Sequence, residues 1–171
     1  SEPSVLLGRI QILLAVAIGA GAWMIVNALP LWQPTKEYLP WVRSTPSYAF
    51  TFDALRCAAA MLPATFMWGA SFPLTLAAVR GHGHARHVSR INAINTTGAL
   101  AGVLALTLFG IPYLGSHGAQ VLLVLVAAGT GVVLLWSVPA ERRLAAIGIA
   151  VLAAAFAAAI VPPVPGRLIA Y

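Results

Sequence analysis

The chain has 171 residues, 60% hydrophobic and 8% charged, against roughly 45–50% and about 25% in a soluble globular domain. A soluble fold of this length shows much of its surface to water, and ten Lys+Arg with four Asp+Glu cannot cover it; a soluble enzyme, a disordered tail and a nucleic-acid-binding arm are excluded. The net charge of +6 then reads as a topology signal, and the single cysteine, Cys57, excludes an internal disulfide.

Five apolar stretches are long enough, or nearly so, to cross about 30 Å of hydrocarbon as helices. They cover residues 10–29, 57–79, 91–113, 119–138 and 144–161, with no charged residue inside these limits. The expectation is an all-α integral membrane helical bundle of about five transmembrane helices, forming a single module over 1–171. The first stretch is about twenty residues, longer than the 7–15 of a signal peptide, and reads as a span. Between the first two spans, Trp32, Tyr38, Trp41 and Tyr48 are the interfacial aromatics expected where a loop lies along the membrane surface. Arg9, Arg80, Arg86, Arg90, Arg142 and Arg143 fall on one side, and Lys36, Arg43, Arg56 and Arg167 on the other. This surplus places the N-terminus in the cytoplasm and the tail outside. Ser1 in place of an initiator Met, and an exit-linker-like Pro162-Pro163-Val164-Pro165-Gly166-Arg167, give the expectation of a piece of a longer chain.

The second span carries Pro63 and Pro73, each of which removes a backbone hydrogen bond and kinks its helix. Broken helices line substrate cavities in transporters; equally, neighbouring helices and Ser/Thr side chains can satisfy the kinks with nothing bound. In the third span Asn92, Asn95 and Thr96 share one helix face, where lipid offers them no partner. They are the candidate binding residues, with helix-packing glue as the competing reading. Gly98 and Gly102 form a small-xxx-small pair suited to close helix approach, and the second and third spans are expected to pack through Pro63, Pro73, Gly98 and Gly102.

The loop between these spans holds His82, His84 and His87 among Arg80, Arg86 and Arg90. The histidines are weak metal candidates by spacing, opposed by the arginines; a basic loop against anionic lipid is the other reading. Asp53 and Arg56, three residues apart at the mouth of the second span, suit a helix-start ion pair, or Arg56 snorkels to the interface. There is no Gly-x-Gly-x-x-Gly, Walker loop, His-Glu-x-x-His, Gly-x-Ser-x-Gly or pair of neighbouring carboxylates. No catalytic residue, resident metal or cofactor is expected in this segment.

The run Leu62-Pro63-Ala64-Thr65-Phe66-Met67-Trp68-Gly69-Ala70-Ser71-Phe72-Pro73, the run Asn92-Ala93-Ile94-Asn95-Thr96-Thr97-Gly98-Ala99 and the exit Gly110-Ile111-Pro112-Tyr113-Leu114-Gly115 together resemble one family. It is the membrane module of bacterial spermidine-synthase-like proteins, also described as fused transporter-like/spermidine synthase proteins. The resemblance covers roughly residues 55–136. It implies a module in the bacterial cytoplasmic membrane that anchors a downstream soluble aminopropyltransferase-type domain and offers a path for a polyamine or other small molecule. The parent protein would then be a transferase, although this segment carries none of its catalytic residues. The alternatives are a transporter or permease fragment, or a noncatalytic accessory subunit of a larger membrane complex. The expected partners are the lipid bilayer and other transmembrane helices or subunits, not nucleic acid.

Overall fold

The computed structural model describes residues 2–28, 46–79, 84–136 and 138–163. Among the described residues every regular element is helical. Helix α1 is Glu2–Trp23, α2 is Pro46–Val79, α3 is His84–Ala105, α4 is Ile111–Leu135 and α5 is Ala140–Ile160. Two wide π-turns, Met24–Ala28 and Leu106–Gly110, extend α1 and join α3 to α4.

Local chemistry accounts for several of these boundaries. Helix α2 opens on Pro46, a residue suited to a helix start because its missing N–H has no partner there in any case. It therefore begins eleven residues before the expected start at 57. That places Asp53 and Arg56 inside the helix, where Arg56 donates to the Asp53 carboxylate at 3.1 Å. A paired i,i+3 carboxylate and guanidinium is tolerated where hydropathy alone ends the span. The π-turn before α4 ends as the Ile111 N–H donates back to the Leu106 carbonyl, just ahead of Pro112, which has no N–H to continue an ordinary ladder. In the other π-turn the Asn27 side-chain amide donates to the Trp23 carbonyl at 3.1 Å.

Four helical runs are long and apolar enough to cross a membrane: Pro3–Ala28, Phe50–Ala78, Val88–Leu135 and Arg143–Ile160. The expected third and fourth spans fall together in the 48-residue run Val88–Leu135. That run is not uniform, because Gly115 has φ 68° and ψ 173°, a left-handed position that an L side chain adopts only at a cost. The arginines expected outside the spans also lie closer in, with Arg9 within the first run and Arg143 opening the last.

Alanines make up most of the core, with Ile12, Val124, Leu135, Val138 and Val161 among them. Helices α1, α4 and α5 meet around Ala15, Val124 and Ala157, all fully buried, with Ala22, Ala127, Ala128, Ala150 and Ala154 beside them. A Cβ added to Gly8 would meet Leu135 and the Gly131 carbonyl, and one added to Gly19 would lie 2.6 Å from the Ala157 carbonyl. Helix α1 therefore runs antiparallel to α4 and parallel to α5. Helix α2 lies on the remaining side of α1, and its Ala60 carbonyl is 2.7 Å from a Cβ built at Gly21. Helix α3 packs closely on none of the others. The large apolar side chains point outward instead, with Phe50 75%, Tyr113 81% and Leu144 83% exposed.

Candidate functional site

Residues of α2 and α3 border one shallow, largely open groove, and Thr65, Trp68, Gly69 and Asn95 along it are exposed. Thr65, Trp68, Gly69, Ser71 and Phe72 line it from α2 and Asn95 from α3. Thr65, Trp68, Gly69 and Phe72 follow the i, i+3, i+4, i+7 spacing of a single helix face. Gly69 is ten residues from the end of α2 at Val79, and Asn95 is eleven from the start of α3 at His84. At 1.5 Å per residue both lie about 15 Å along their helices from the 80–83 connection.

The hydroxyls beside the groove are committed to their own helix. Thr65 donates to the Met61 and Leu62 carbonyls, each at 3.1 Å, and Ser71 donates to the Trp68 carbonyl at 2.6 Å. Thr75, one turn on, donates to the Ser71 carbonyl at 2.8 Å. Such back-bonding satisfies a hydroxyl proton within an apolar helix and leaves the oxygen lone pairs available. The carbonyl that Pro73 would bond, were it any other residue, belongs to Gly69. The break in the ladder therefore falls at a residue of this groove. The corresponding carbonyl for Pro63 is that of Ala59, next to the Ala60 contact with α1.

Of the expected binding residues, Asn95 alone borders this groove. Asn92 and Thr96, like Asn95, are exposed on α3, and Thr96 donates to the Asn92 carbonyl at 3.0 Å. Pro63 and Pro73 lie inside α2 with exposed side chains. Gly98 and Gly102 have nothing within 4 Å of a built Cβ; the close helix approaches fall at Gly8, Gly19, Gly21 and Gly131 instead. His82 lies outside the described residues, and His84 and His87 occupy the first turn of α3. Among the described residues no three His, Cys, Asp or Glu side chains converge.

Two polar anchors have no counterpart in the sequence reading. His117, early in α4, places Nδ1 3.2 Å from the Pro162 carbonyl, just beyond α5. Because that acceptor is a carbonyl, the bond requires the proton on Nδ1. It joins residues 45 apart, and nothing in a lone histidine signals such a partner. At the other end of the pair, Arg143 donates from Nε to the Val138 carbonyl at 3.2 Å, and its guanidinium lies 5.9 Å from the Trp136 ring centroid. A Trp–Arg pair at a helix end is an interfacial signature, and here it closes the α4–α5 turn. No family model, curated protein or solved structure matches this chain.

Proposed function

We propose that the chain is a noncatalytic integral membrane module that crosses the bilayer five times. The observation that carries this reading is the inverted distribution of size. Alanines and glycines make the closest helix contacts, with a few Val, Ile and Leu beside them, while most of the Phe, Tyr, Trp and Leu side chains face outward. In water such a surface would associate without limit. In lipid, close packing of small residues is what holds helices together, and apolar surface is free to remain exposed.

Length and direction favour five crossings. The run Val88–Leu135 would measure about 72 Å as one helix, more than twice the hydrocarbon thickness, and Gly115 divides it into halves each long enough to cross. Helices α1 and α4 are antiparallel, so the end of α1 and the start of α4 lie on one side. Helices α2 and α3, each long enough to cross, fit as a pair that goes and returns between those points. Single cysteines at Ser4→Cys, Ser89→Cys, Ser116→Cys and Ala140→Cys in a Cys57→Ala background test this with a membrane-impermeant maleimide on oriented vesicles. Positions 4, 89 and 140 should label from the cytoplasmic side and position 116 from the other. Labelling of position 89 from the same side as position 116, or of all four from one side, refutes the five-crossing topology.

Within this reading, the motifs at 62–73 and 90–102 favour the membrane module of a spermidine-synthase-like protein, whose role here is anchoring. A cation path through a membrane ordinarily carries an Asp or Glu, and the groove has neither; this favours anchoring over polyamine passage. The coding sequence past Tyr171 tests the assignment: a Gly-rich strand–turn–helix followed by acidic residues supports it, and their absence refutes it. The accessory-subunit reading rests on α3, exposed along 92–105 with Gly98 and Gly102 open. A purified chain that stays monodisperse alone in mild detergent counts against that role.

A further inference from the structure

The packing of α1 on α4 and α5 brings an exposed tryptophan and two arginines to one end of the bundle. A Cβ built at Gly8 lies 3.1 Å from the Leu135 side chain and 3.2 Å from that of Leu134, so Arg9, the next residue, stands at the last turn of α4. Trp136 caps that turn with its ring exposed, and the Arg143 guanidinium lies over the ring, 5.9 Å from its centroid. We infer that this end holds the headgroup of an anionic phospholipid, with Arg9 and Arg143 contacting the phosphate and Trp136 at the level of the glycerol. The inference rests on the membrane reading above, which puts these residues at the cytoplasmic boundary of the hydrocarbon.

The two arginines reach that boundary by different routes. Arg9 is exposed and lies inside the first apolar run, about 9 Å from its start at Pro3. An arginine facing lipid there keeps its charge solvated by running its stem to the nearer surface, the end that Trp136 and Arg143 occupy. Arg143 is held in place, because its Nε donates to the Val138 carbonyl at 3.2 Å and the indole backs its plane. That hold uses one of five N–H groups and leaves the two terminal nitrogens to meet an oxyanion. Among the described side chains neither Arg9 nor Arg143 meets a carboxylate, whereas Arg56, at the opposite end, is bonded to Asp53. Glu2, Glu141 and Arg142 also belong to this end by sequence, so selectivity comes from the two placed guanidiniums and not from a large net charge. Phosphatidylcholine offers the same phosphate with a quaternary ammonium tethered to it, which a guanidinium pair repels; phosphatidylglycerol offers the phosphate alone.

Tryptophan quenching tests this in the full chain. One version keeps Trp136 and a second keeps Trp23, with the other four tryptophans replaced by Phe. Trp23 lies fourteen residues beyond Arg9, about 21 Å along α1, and serves as the reference for ordinary lipid contact. Each is reconstituted into vesicles of phosphatidylcholine and phosphatidylglycerol, with one or the other lipid carrying acyl chains brominated close to the headgroup. Quenching of Trp136 should report phosphatidylglycerol enriched at least about fivefold beside it, the effect of one well-placed basic residue, while Trp23 should report less than about twofold. Arg9→Gln with Arg143→Gln should bring Trp136 to the Trp23 value, and Arg9→Lys with Arg143→Lys, which keeps both charges, should retain most of the enrichment. Equal preference at the two tryptophans, or enrichment that survives the double Gln variant, overturns the proposal. So does a Trp136 quenched by neither lipid, which would mean that another protein surface covers this end. If brominated phosphatidylcholine quenches neither Trp23 nor Trp136, the membrane reading itself fails, and the two failures are seen separately.

Discussion

Replacing Gly19 by alanine tests the packing of the bundle at its tightest point. The added Cβ would lie 2.6 Å from the Ala157 carbonyl oxygen and 3.0 Å from the Ala157 Cα, where ordinary contact begins at 3.4 Å. Both obstacles are backbone, so no side-chain rotation relieves them, and α1 and α5 must separate by roughly 0.8 Å. A gap of that size forfeits a quarter to a half of the dispersion energy of the atoms facing it, and overpacking of this kind typically costs about 1–3 kcal/mol. Alanine also raises intrinsic helix propensity by about 1 kcal/mol over glycine, which leaves a net loss of up to about 2 kcal/mol. Gly98→Ala is the internal control, because its Cβ would meet nothing within 4 Å, and only the propensity gain of up to about 1 kcal/mol remains. Equilibrium unfolding in mixed micelles of mild detergent and dodecyl sulfate, followed by helical circular dichroism, gives both values. The two variants should move in opposite directions. If Gly98→Ala destabilises as much as Gly19→Ala, the division into a packed face on α1 and an open face on α3 is wrong.

His117→Phe removes the bond to the Pro162 carbonyl and should lower stability by about 1 kcal/mol, while His117→Asn, which keeps an N–H donor, should recover part of it; equal loss in both variants, measured by the same unfolding titration, refutes a role for the bond. Asp53→Asn should cost no more than about 1 kcal/mol, because the Asp53 side chain is 51% exposed and water screens the pair. Arg56→Ala should cost more, since its side chain is only 11% exposed and its methylene stem is lost as packing surface; the reverse order would mean that the charge interaction, not the packing, holds Arg56 in place.

The helical class, the approximate places of α1, α2 and α5 and the break near Gly115 were legible as apolar runs interrupted by Pro, Gly and charge. The start of α2 was not, because hydropathy counts Asp53 and Arg56 as two separate penalties whereas the helix pairs them one turn apart. The helix contacts were misleading in a different way. Gly98 and Gly102 have the spacing of a packing motif, yet Gly8, Gly19, Gly21 and Gly131 make the close approaches. A small residue permits an approach, but whether one occurs depends on how small the facing helix is at that height, as Ala60 and Ala157 are. The single sequence carries each face separately and does not state which two faces meet. For the same reason Asn92, Asn95 and Thr96 were identifiable together as polar residues in need of a partner, but not which of them lies beside the α2 groove.

The two prolines of α2 carry the same chemistry into different surroundings. Each deprives one carbonyl of its backbone donor, a cost of several kcal/mol in hydrocarbon unless something else serves it. The break caused by Pro63 falls at Ala59, beside the point where α2 closes on α1 at Gly21. The break caused by Pro73 falls at Gly69, which has open space where its side chain would be and lines the groove. The first break therefore lies next to the contact between α2 and α1, whereas the second lies beside an open groove with Asn95 across it, so the two carbonyls must be served from different surroundings.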